Sequence, residues 1–224
     1  MNKIFYTQLI VTDYDDYRRI RLESLKQYPD NFGSTYEEEL NSQSLKLDSA
    51  IKGNGQGNFA MGAFNNDNKL IGICGLVRDL RLKTRHRGEI IQMYIDPAFG
   101  GQGIGKTLLR LSIEKAFKNI EIEQIILNVV CTNDRAITLY KKLGFIEYGR
   151  LENYFKIDSR YFTQLFFSLA KKDWQARIKN QESGIRYQVS RIGLINPDFK
   201  YEILQIIFKQ LLRICFSLTI VFLL

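Results

Sequence analysis

Short apolar runs bounded by Gly, Pro, Asn and Asp alternate with longer amphipathic segments along most of the chain. Runs of this kind, rich in Ile, Val, Leu and Phe, are typical of strands. The polar turn Asn65-Asn66-Asp67-Asn68 between two of them indicates a β-hairpin. The predicted strands are residues 4–11, 59–64, 70–77, 89–95, 122–130, 145–148 and 162–169.

Between these strands, apolar side chains recur at the spacing of amphipathic helices. Thr12 or Asp13 can cap the first helix, and Pro29 and Gly33 follow its end. The resulting order, β-α-α-β-β-β-α-β-α-β-β, predicts an α/β fold with a mixed sheet flanked by helices. The predicted helices are residues 12–27, 36–51, 106–118 and 134–143.

A change in composition after Trp174 indicates a second, smaller part of the chain. With 224 residues, the chain has room for one well-packed domain, which we assign to residues 1–172. Residues 173–224 then form a C-terminal appendage with an apolar terminal helix. Its uncharged run, 214–224, is shorter than the roughly 20 residues that span a membrane. Residues 203–224 could therefore lie on a membrane surface, form a weak tail anchor, or fall outside the fold.

The chain is basic, with 32 Lys and Arg against 24 Asp and Glu and a net charge of +8. Such a surface attracts polyanions, which include nucleic acid, anionic lipid and ligands that carry several phosphates. The basic residues lack the interleaved aromatic residues that stack on bases. We therefore expect no nucleic-acid partner.

The numbers and positions of the cysteine and histidine residues indicate the cellular compartment and whether a metal site is expected. Cys74, Cys131 and Cys215 are scattered and form no C-x-x-C pair, so a reducing, cytoplasmic location fits best. His86 is the single histidine, and without clustered Cys or His we expect no metal site.

A glycine-rich turn follows the strand at 89–95 and precedes the helix at 106–118. Glycines let a backbone approach a ligand closely, and the first turn of a helix presents unpaired N–H groups and a positive dipole end. A diphosphate is the natural ligand of such a turn, and Lys106 adds a positive charge. The segment from Gly100 to Thr107 also satisfies the P-loop pattern G-x-x-x-x-G-K-[ST], so an ATP-binding protein is one alternative. A turn that merely joins strand to helix is another.

The context of the turn favours neither a kinase nor an ATPase, because three consecutive strands precede it and about one βα unit follows. Downstream, residues 133–145 read N-x-x-A-x-x-L-Y-x-K-x-G-F. Together, the strand, the glycine turn and this second motif resemble the GNAT superfamily of acetyl-CoA-dependent N-acetyltransferases. The resemblance extends over about residues 4–172 and implies a GNAT-like acyl-CoA N-acyltransferase fold, in which the sheet is splayed at its centre.

The resemblance also implies acetyl-CoA as co-substrate and a set of residues that hold it. The pantetheine arm would pair with the backbone of Met93, Tyr94 and Ile95, and Asn133 would contact the cofactor near that arm. Tyr140 matches a tyrosine that commonly protonates the departing thiolate. Gly100 departs from the family, which usually has Arg or Gln there. The diphosphate would lie on the amides of Gly101, Gln102, Gly103, Ile104, Gly105 and Lys106.

The chemistry of amine acetylation requires a base. An alkyl ammonium with a pKa of about 10.4 is neutral in only about one molecule in 2,500 at pH 7. Glu89 is our candidate base, acting directly or through water, although it could be a solvated strand-end charge. His86 is an alternative proton relay. Tyr140 could instead be plain core, because it shares an apolar helix stripe with Leu143.

We expect the amine to attack acetyl-CoA directly in a ternary complex rather than through an acetylated Cys131, because Cys131 lacks a paired histidine base. The acceptor would be a small-molecule or peptide amine. Loops at 29–35 and 152–161, which contain Asp30, Glu152 and Asp158, would shape its pocket. A non-catalytic acetyl-CoA sensor and a membrane- or nucleic-acid-binding protein remain alternatives. Acceptor identity and oligomeric state do not follow from the sequence.

Overall fold

A seven-stranded sheet with the order β1-β2-β3-β4-β5-β7-β6 forms the centre of the protein. The structure is a computed structural model that describes residues 3–119 and 121–193, with side chains as far as residue 183. The strands are β1 (Phe5–Gln8), β2 (Phe59–Phe64), β3 (Leu70–Arg78), β4 (Arg87–Ile95), β5 (Gln124–Val130), β6 (Ile146–Ile157) and β7 (Arg160–Ala170).

All neighbouring strands pair antiparallel except β4 and β5, which are parallel. Their pairing is limited to three residue pairs, from Arg87 with Gln124 to Glu89 with Ile126. The strands therefore separate after Glu89. The predicted mixed sheet, splayed at its centre, is confirmed.

A bulge in β4 lies close to this separation. Ile73 of β3 pairs with Tyr94 and Gly75 pairs with Ile91, so Gln92 and Met93 together stand opposite the single residue Cys74. Gln92 adopts a left-handed backbone conformation with φ of 53°. An extra residue of this kind bends the strand and redirects its backbone groups.

Helices cover both faces of the sheet. Ile73 packs in a core cluster with Tyr17 and Ile20 of α1, whereas the neighbouring Cys74 contacts the Ser112 hydroxyl of α4. Because successive side chains of a strand point to opposite faces, α1 and α4 lie on opposite sides of β3. The helices are α1 (Tyr14–Gln27), α2 (Tyr36–Leu40), α3 (Asp48–Ile51), α4 (Ile104–Lys118), α5 (Asp134–Leu143) and α6 (Lys171–Gly193).

The single helix predicted at 36–51 is wrong, because the structure has two short helices there. Thr35 caps α2, and its hydroxyl accepts a hydrogen bond from the Glu38 backbone N–H. The helix ends at Leu40, and the Ser42 hydroxyl then bonds the backbone of Ser44. Local serine hydrogen bonds of this kind compete with helical ones.

The prediction for the C-terminal hairpin was too short. β6 continues to Ile157 and β7 begins at Arg160, so residues 152–161 lie in strands joined at a tight turn rather than in a loop. Asp158, with φ of 54°, forms part of that turn.

The chain divides into two compact units, Met1–Trp174 and Gln175–Leu224. In the second unit, helix is described as far as Gly193, where the sequence lacks a clear apolar period. The apolar segment 203–224 lies outside the described residues. Among those that are described, no helix is both long and apolar enough to cross a membrane.

Candidate functional site

A cleft of about 850 Å³ opens where β4 and β5 separate. One wall consists of β4 residues 89–95 together with the glycine turn that follows. Another consists of residues from β5 and the first turns of α5. Residues 31–34, the charged residues Arg21, Glu39 and Lys46, and the aromatic side chains Tyr28, Tyr154 and Phe155 also contribute to the lining.

The glycine turn presents open backbone to this cleft. Gly101 and Gly103 adopt left-handed conformations with φ of 79° and 76°, and a Cβ added at either would meet no atom within 4 Å. Gly103 is also the N-cap of α4. A Cβ on Gly105 would lie 3.4 Å from the side chains of Ile95 and Met93, so glycine allows α4 to pack tightly on β4. The turn therefore has room for a ligand against its amides.

Two cations lie beside the turn. Lys106 belongs to the first turn of α4 and Arg135 to the first turn of α5, and both line the cleft. Within the described part of the chain, neither has a hydrogen-bonded or ion-paired side-chain partner. Open amides with two uncompensated positive charges fit a ligand with several phosphates.

Gln102 differs from its neighbours in the turn. It is exposed and is absent from the cleft lining, whereas Gly101, Gly103, Ile104, Gly105 and Lys106 all contribute to it. The Gln102 side chain is therefore placed away from the cleft.

The strand residues expected to hold the pantetheine arm all line the cleft. These are Met93, Tyr94 and Ile95, and they lie beyond the last β4 residue that pairs with β5. The β4 edge that faces β5 is thus unpaired along this stretch and can accept an extended ligand as a strand partner.

Asn133 also lines the cleft, and its side chain in addition forms a hydrogen bond within the protein. Its Oδ1 accepts a hydrogen bond of 3.1 Å from the Ala136 backbone N–H and so caps α5. The side-chain amide nitrogen is left for other partners.

Two carboxylates, Glu39 and Glu89, line the cleft, and their surroundings differ. Glu39 forms a bidentate ion pair with Arg21, with bonds of 2.9 and 2.6 Å. Within residues 3–119 and 121–193, Glu89 pairs with no guanidinium and instead accepts a 3.0 Å hydrogen bond from the Asn128 side-chain amide. Glu89 is therefore the carboxylate of the lining that can accept a proton without breaking an ion pair.

A chain of hydrogen bonds supports Glu89. The Gln164 amide nitrogen donates to Asn128 Oδ1 at 2.6 Å, and Asn128 in turn donates to Glu89. Gln164 is only 2% exposed. The chain connects β7, β5 and β4, so the sheet itself fixes the orientation of the carboxylate.

Tyr140 is buried and lines the same cleft. Its ring packs against Phe145 and Phe167, at centroid distances of 6.0 and 6.3 Å. Burial raises the pKa of the Tyr140 phenol well above its usual value of 10, so the group stays protonated at physiological pH. Tyr140 is therefore available as a proton donor.

Other residues considered from the sequence lie elsewhere. His86 is exposed and outside the cleft lining, and Cys131 is also absent from it. Asp30, Glu152 and Asp158 do not line the cleft either, and Asp30 pairs with Arg160 at 3.6 Å. No group of three or more Cys, His, Asp or Glu suited to a metal ion occurs among the described residues.

Sequence reasoning missed Asn128, Gln164 and Arg135. Asn128 had a detectable signal, since it is a polar residue inside the apolar strand Gln124–Val130. Gln164 and Arg135 had none, because Gln164 bonds a residue of a distant segment and Arg135 lies beside one.

The family model described as "Acetyltransferase (GNAT) family" matches residues 17–145, more than half of the chain. Spermidine N(1)-acetyltransferase of Vibrio cholerae is 33% identical over 89 residues, which are 40% of this chain and 51% of that protein. N-alpha-acetyltransferase 30 of Schizosaccharomyces pombe is 33% identical over 97 residues, or 43% of this chain and 63% of that one. The chain thus spans about half the length of the curated relatives it matches.

Solved structures share the fold. Ribosomal-protein-S5-alanine acetyltransferase from Vibrio fischeri has a TM-score of 0.62 at 18% identity, covering 78% of this chain and 98% of that one. A GNAT-family acetyltransferase from Streptococcus pneumoniae has a TM-score of 0.61 at 23% identity, covering 75% and 99%.

Proposed function

The chain belongs to the acetyltransferase (GNAT) family, and from that premise we propose that it transfers an acetyl group from acetyl-CoA to a primary amine. One observation carries the proposal. A single cleft brings together the open glycine turn with its two cations, an unpaired strand edge, the carboxylate of Glu89 and the phenol of Tyr140. Each part corresponds to a requirement of the reaction.

The first requirement is to hold the thioester. The amides of the turn Gly101–Lys106 and the charge of Lys106 would bind the diphosphate of coenzyme A. The unpaired backbone of Met93–Ile95 would take the pantetheine arm as an added strand. When bound, the co-substrate supplies an activated acetyl thioester. The bulge at Gln92 redirects backbone groups of β4, whose N–H groups would be available to the thioester carbonyl oxygen.

The second requirement is proton transfer. Glu89 would accept the proton that the ammonium must lose, directly or through one water. As the amine nitrogen bonds to the carbonyl carbon, the carbon–sulfur bond breaks, and the Tyr140 hydroxyl would donate its proton to the sulfur. Burial keeps the phenol protonated before the reaction begins, so the proton is in place for this step. The second proton that the nitrogen loses on becoming an amide would return to the Tyr140 phenolate through water.

The acceptor is proposed as a class only, namely a small-molecule amine or the amine of a peptide. The relatives named above act on spermidine and on protein N-termini. An α-amine with a pKa near 8 needs only about 1.4 kcal/mol to reach its neutral form at pH 7, against about 4.6 kcal/mol for an alkyl amine. The dependence of this reaction on Glu89 should therefore be stronger for alkyl amines.

The P-loop alternative fits the fold poorly. A P-loop domain needs a parallel sheet, whereas only one neighbouring pair of the described strands is parallel. A non-catalytic acetyl-CoA sensor would share every feature of the cleft except the need for Glu89 and Tyr140. The cytoplasm is our proposed compartment, on the basis of three scattered cysteines.

The experiment measures release of the coenzyme A thiol from acetyl-CoA with spermidine, free amino acids, aminoglycosides and peptides as acceptors. We expect turnover with at least one amine, and losses of about 100-fold or more in kcat for Glu89→Gln and Tyr140→Phe. Glu147→Gln and Tyr148→Phe are matched controls, since both side chains are exposed and lie outside the cleft. Binding of acetyl-CoA without turnover would favour the sensor, and binding of magnesium-ATP alone would favour the P-loop alternative.

A further inference from the structure

We infer that Arg135 binds the diphosphate of coenzyme A from the α5 side of the glycine turn, in space that Gly100 leaves free. This inference rests on the proposed function and adds a residue to it. It is carried by the position of the guanidinium, its lack of a partner and its place in the helix.

The guanidinium of Arg135 lies against the start of the turn. A Cβ added at Gly100 would come within 3.0 Å of Arg135 Nη2. Gly100 itself has φ of −63° and ψ of 158°, a conformation open to any residue, so its backbone does not require glycine. An added Cβ would also lie 3.1 Å from the Pro97 carbonyl oxygen, so the absence of a side chain makes room for both that carbonyl and the arginine.

The charge of Arg135 is uncompensated in the described part of the chain. It takes part in no ion pair there, whereas Arg19, Arg21, Arg78 and Arg110 each face a carboxylate. Arginine presents a planar fork of donors that matches the oxygens of a phosphate. A phosphate group on the adjacent turn would supply the missing partner.

The position of Arg135 in α5 points to the same conclusion. Asn133 is the N-cap, so Arg135 lies in the first turn of the helix, where the dipole disfavours cations. Lys106 occupies the same place in α4, whose first turn contains no acidic residue, whereas the first turn of α5 also contains Asp134, which offsets part of the penalty there. Two helices thus begin at one cleft, each with a cation in its first turn. A bound polyanion removes this penalty at both sites.

The test is calorimetric titration of the full chain with coenzyme A, 3′-dephospho-coenzyme A and pantetheine. We expect Arg135→Gln to raise the Kd for coenzyme A about tenfold or more, as for other charged hydrogen bonds to phosphate. The same factor should appear with the dephospho form and be absent with pantetheine. Lys141→Gln, an exposed cation in the last turn of the same helix, removes an equal charge and should leave all three affinities unchanged.

Two results would overturn the inference while leaving the proposed function intact. One is a change of less than about twofold for Arg135→Gln while the parent chain binds coenzyme A normally. The other is a loss that disappears with the dephospho form, which would assign the arginine to the 3′-phosphate. If the parent chain binds no coenzyme A, the proposed function itself is refuted.

A double-mutant cycle tests the role of Gly100. Gly100→Ala should weaken coenzyme A binding in the parent, because the new methyl displaces the guanidinium. The loss should be smaller in the Arg135→Gln background, where only the contact of the methyl with the Pro97 carbonyl remains. Equal losses in both backgrounds would refute the explanation for the glycine.

Discussion

Replacement of Glu39 by alanine should destabilise the first unit strongly, because it would leave a buried arginine without its counter-charge. Arg21 is 3% exposed and holds Glu39 through two hydrogen bonds, of 2.9 and 2.6 Å. Its Nη1 has no hydrogen-bond partner among the described residues, and its guanidinium stacks over Phe32 at 4.7 Å. The ion pair joins α1 to α2 along the cleft.

The magnitude follows from the burial of both partners. Removing one partner of a buried pair costs roughly 3–5 kcal/mol. The Glu39 side chain retains 13% exposure, so water can reach the gap and we expect a value near the lower limit. For a domain of this size, about 3 kcal/mol corresponds to a fall in Tm of roughly 6–12 °C.

Urea unfolding followed by Trp174 fluorescence measures this effect, because Trp174 is the single tryptophan and is buried at 6% exposure. Glu37→Ala makes the same chemical change on the same short helix, at an exposed side chain. It should shift the free energy of unfolding by less than about 0.5 kcal/mol. A cost below about 1 kcal/mol for Glu39→Ala would show that the reasoning about the buried charge is wrong.

Three further predictions concern the base, a loop and a helix end. Asn128→Asp places a carboxylate about 3 Å from Glu89, a repulsion of roughly 1–4 kcal/mol, so the acid limb of the pH–rate profile should move to higher pH by about one unit or more. An unmoved limb would exclude Glu89 as the base. The Arg81 side chain holds the pKa of Asp79 below its usual value. This interaction stabilises the folded state at pH values above the pKa that Asp79 has in the unfolded chain, and the stabilisation is lost on acidification. Asp79→Asn should therefore lower the urea midpoint at pH 7, and the difference should shrink below about pH 4; a constant difference would contradict this. Gly144 ends α5 with φ of 97°, so Gly144→Ala should cost about 1 kcal/mol in the same urea assay, and a neutral result would refute it.

Much of the fold is predictable because it depends on local signals. The hairpin at Asn65–Asn68 and the strand, turn and helix around Gly100–Gly105 each combine short-range periodicity with glycine or asparagine at the turn. The second motif, residues 133–145, likewise identifies α5 and its N-cap. These features are stabilised mainly by contacts between neighbours in sequence.

The two incorrect predictions of secondary structure have different causes, one local and one non-local. The helix predicted at 36–51 is interrupted because the Ser42 hydroxyl bonds the backbone two residues away, a competition that apolar spacing does not reveal. β6 was predicted too short because most of its residues are exposed at the sheet edge and lack an apolar pattern. Its length depends on pairing with β7.

The details of the site depend on contacts across the sheet. Glu89 receives its hydrogen bond from a residue 39 positions away, and that residue receives one from Gln164, 36 positions further on. Sequence alone could nominate Glu89 but not what holds it. Arg135 and Gly100 meet for the same reason, since α5 and the turn adjoin only in the folded chain.

The short pairing between β4 and β5 should make the stability of this protein depend on bound ligand. Three residue pairs join a four-stranded half of the sheet to a three-stranded half. A ligand bound between the two halves would contact both of them. How firmly the halves hold together would then depend in part on the fraction of molecules with ligand bound. At a ligand concentration of 100 times Kd, mass action adds about 2.7 kcal/mol to the stability of the folded state. If the proposed acetyl-CoA is that ligand, the chain should open more often and be degraded sooner by proteases when acetyl-CoA is scarce.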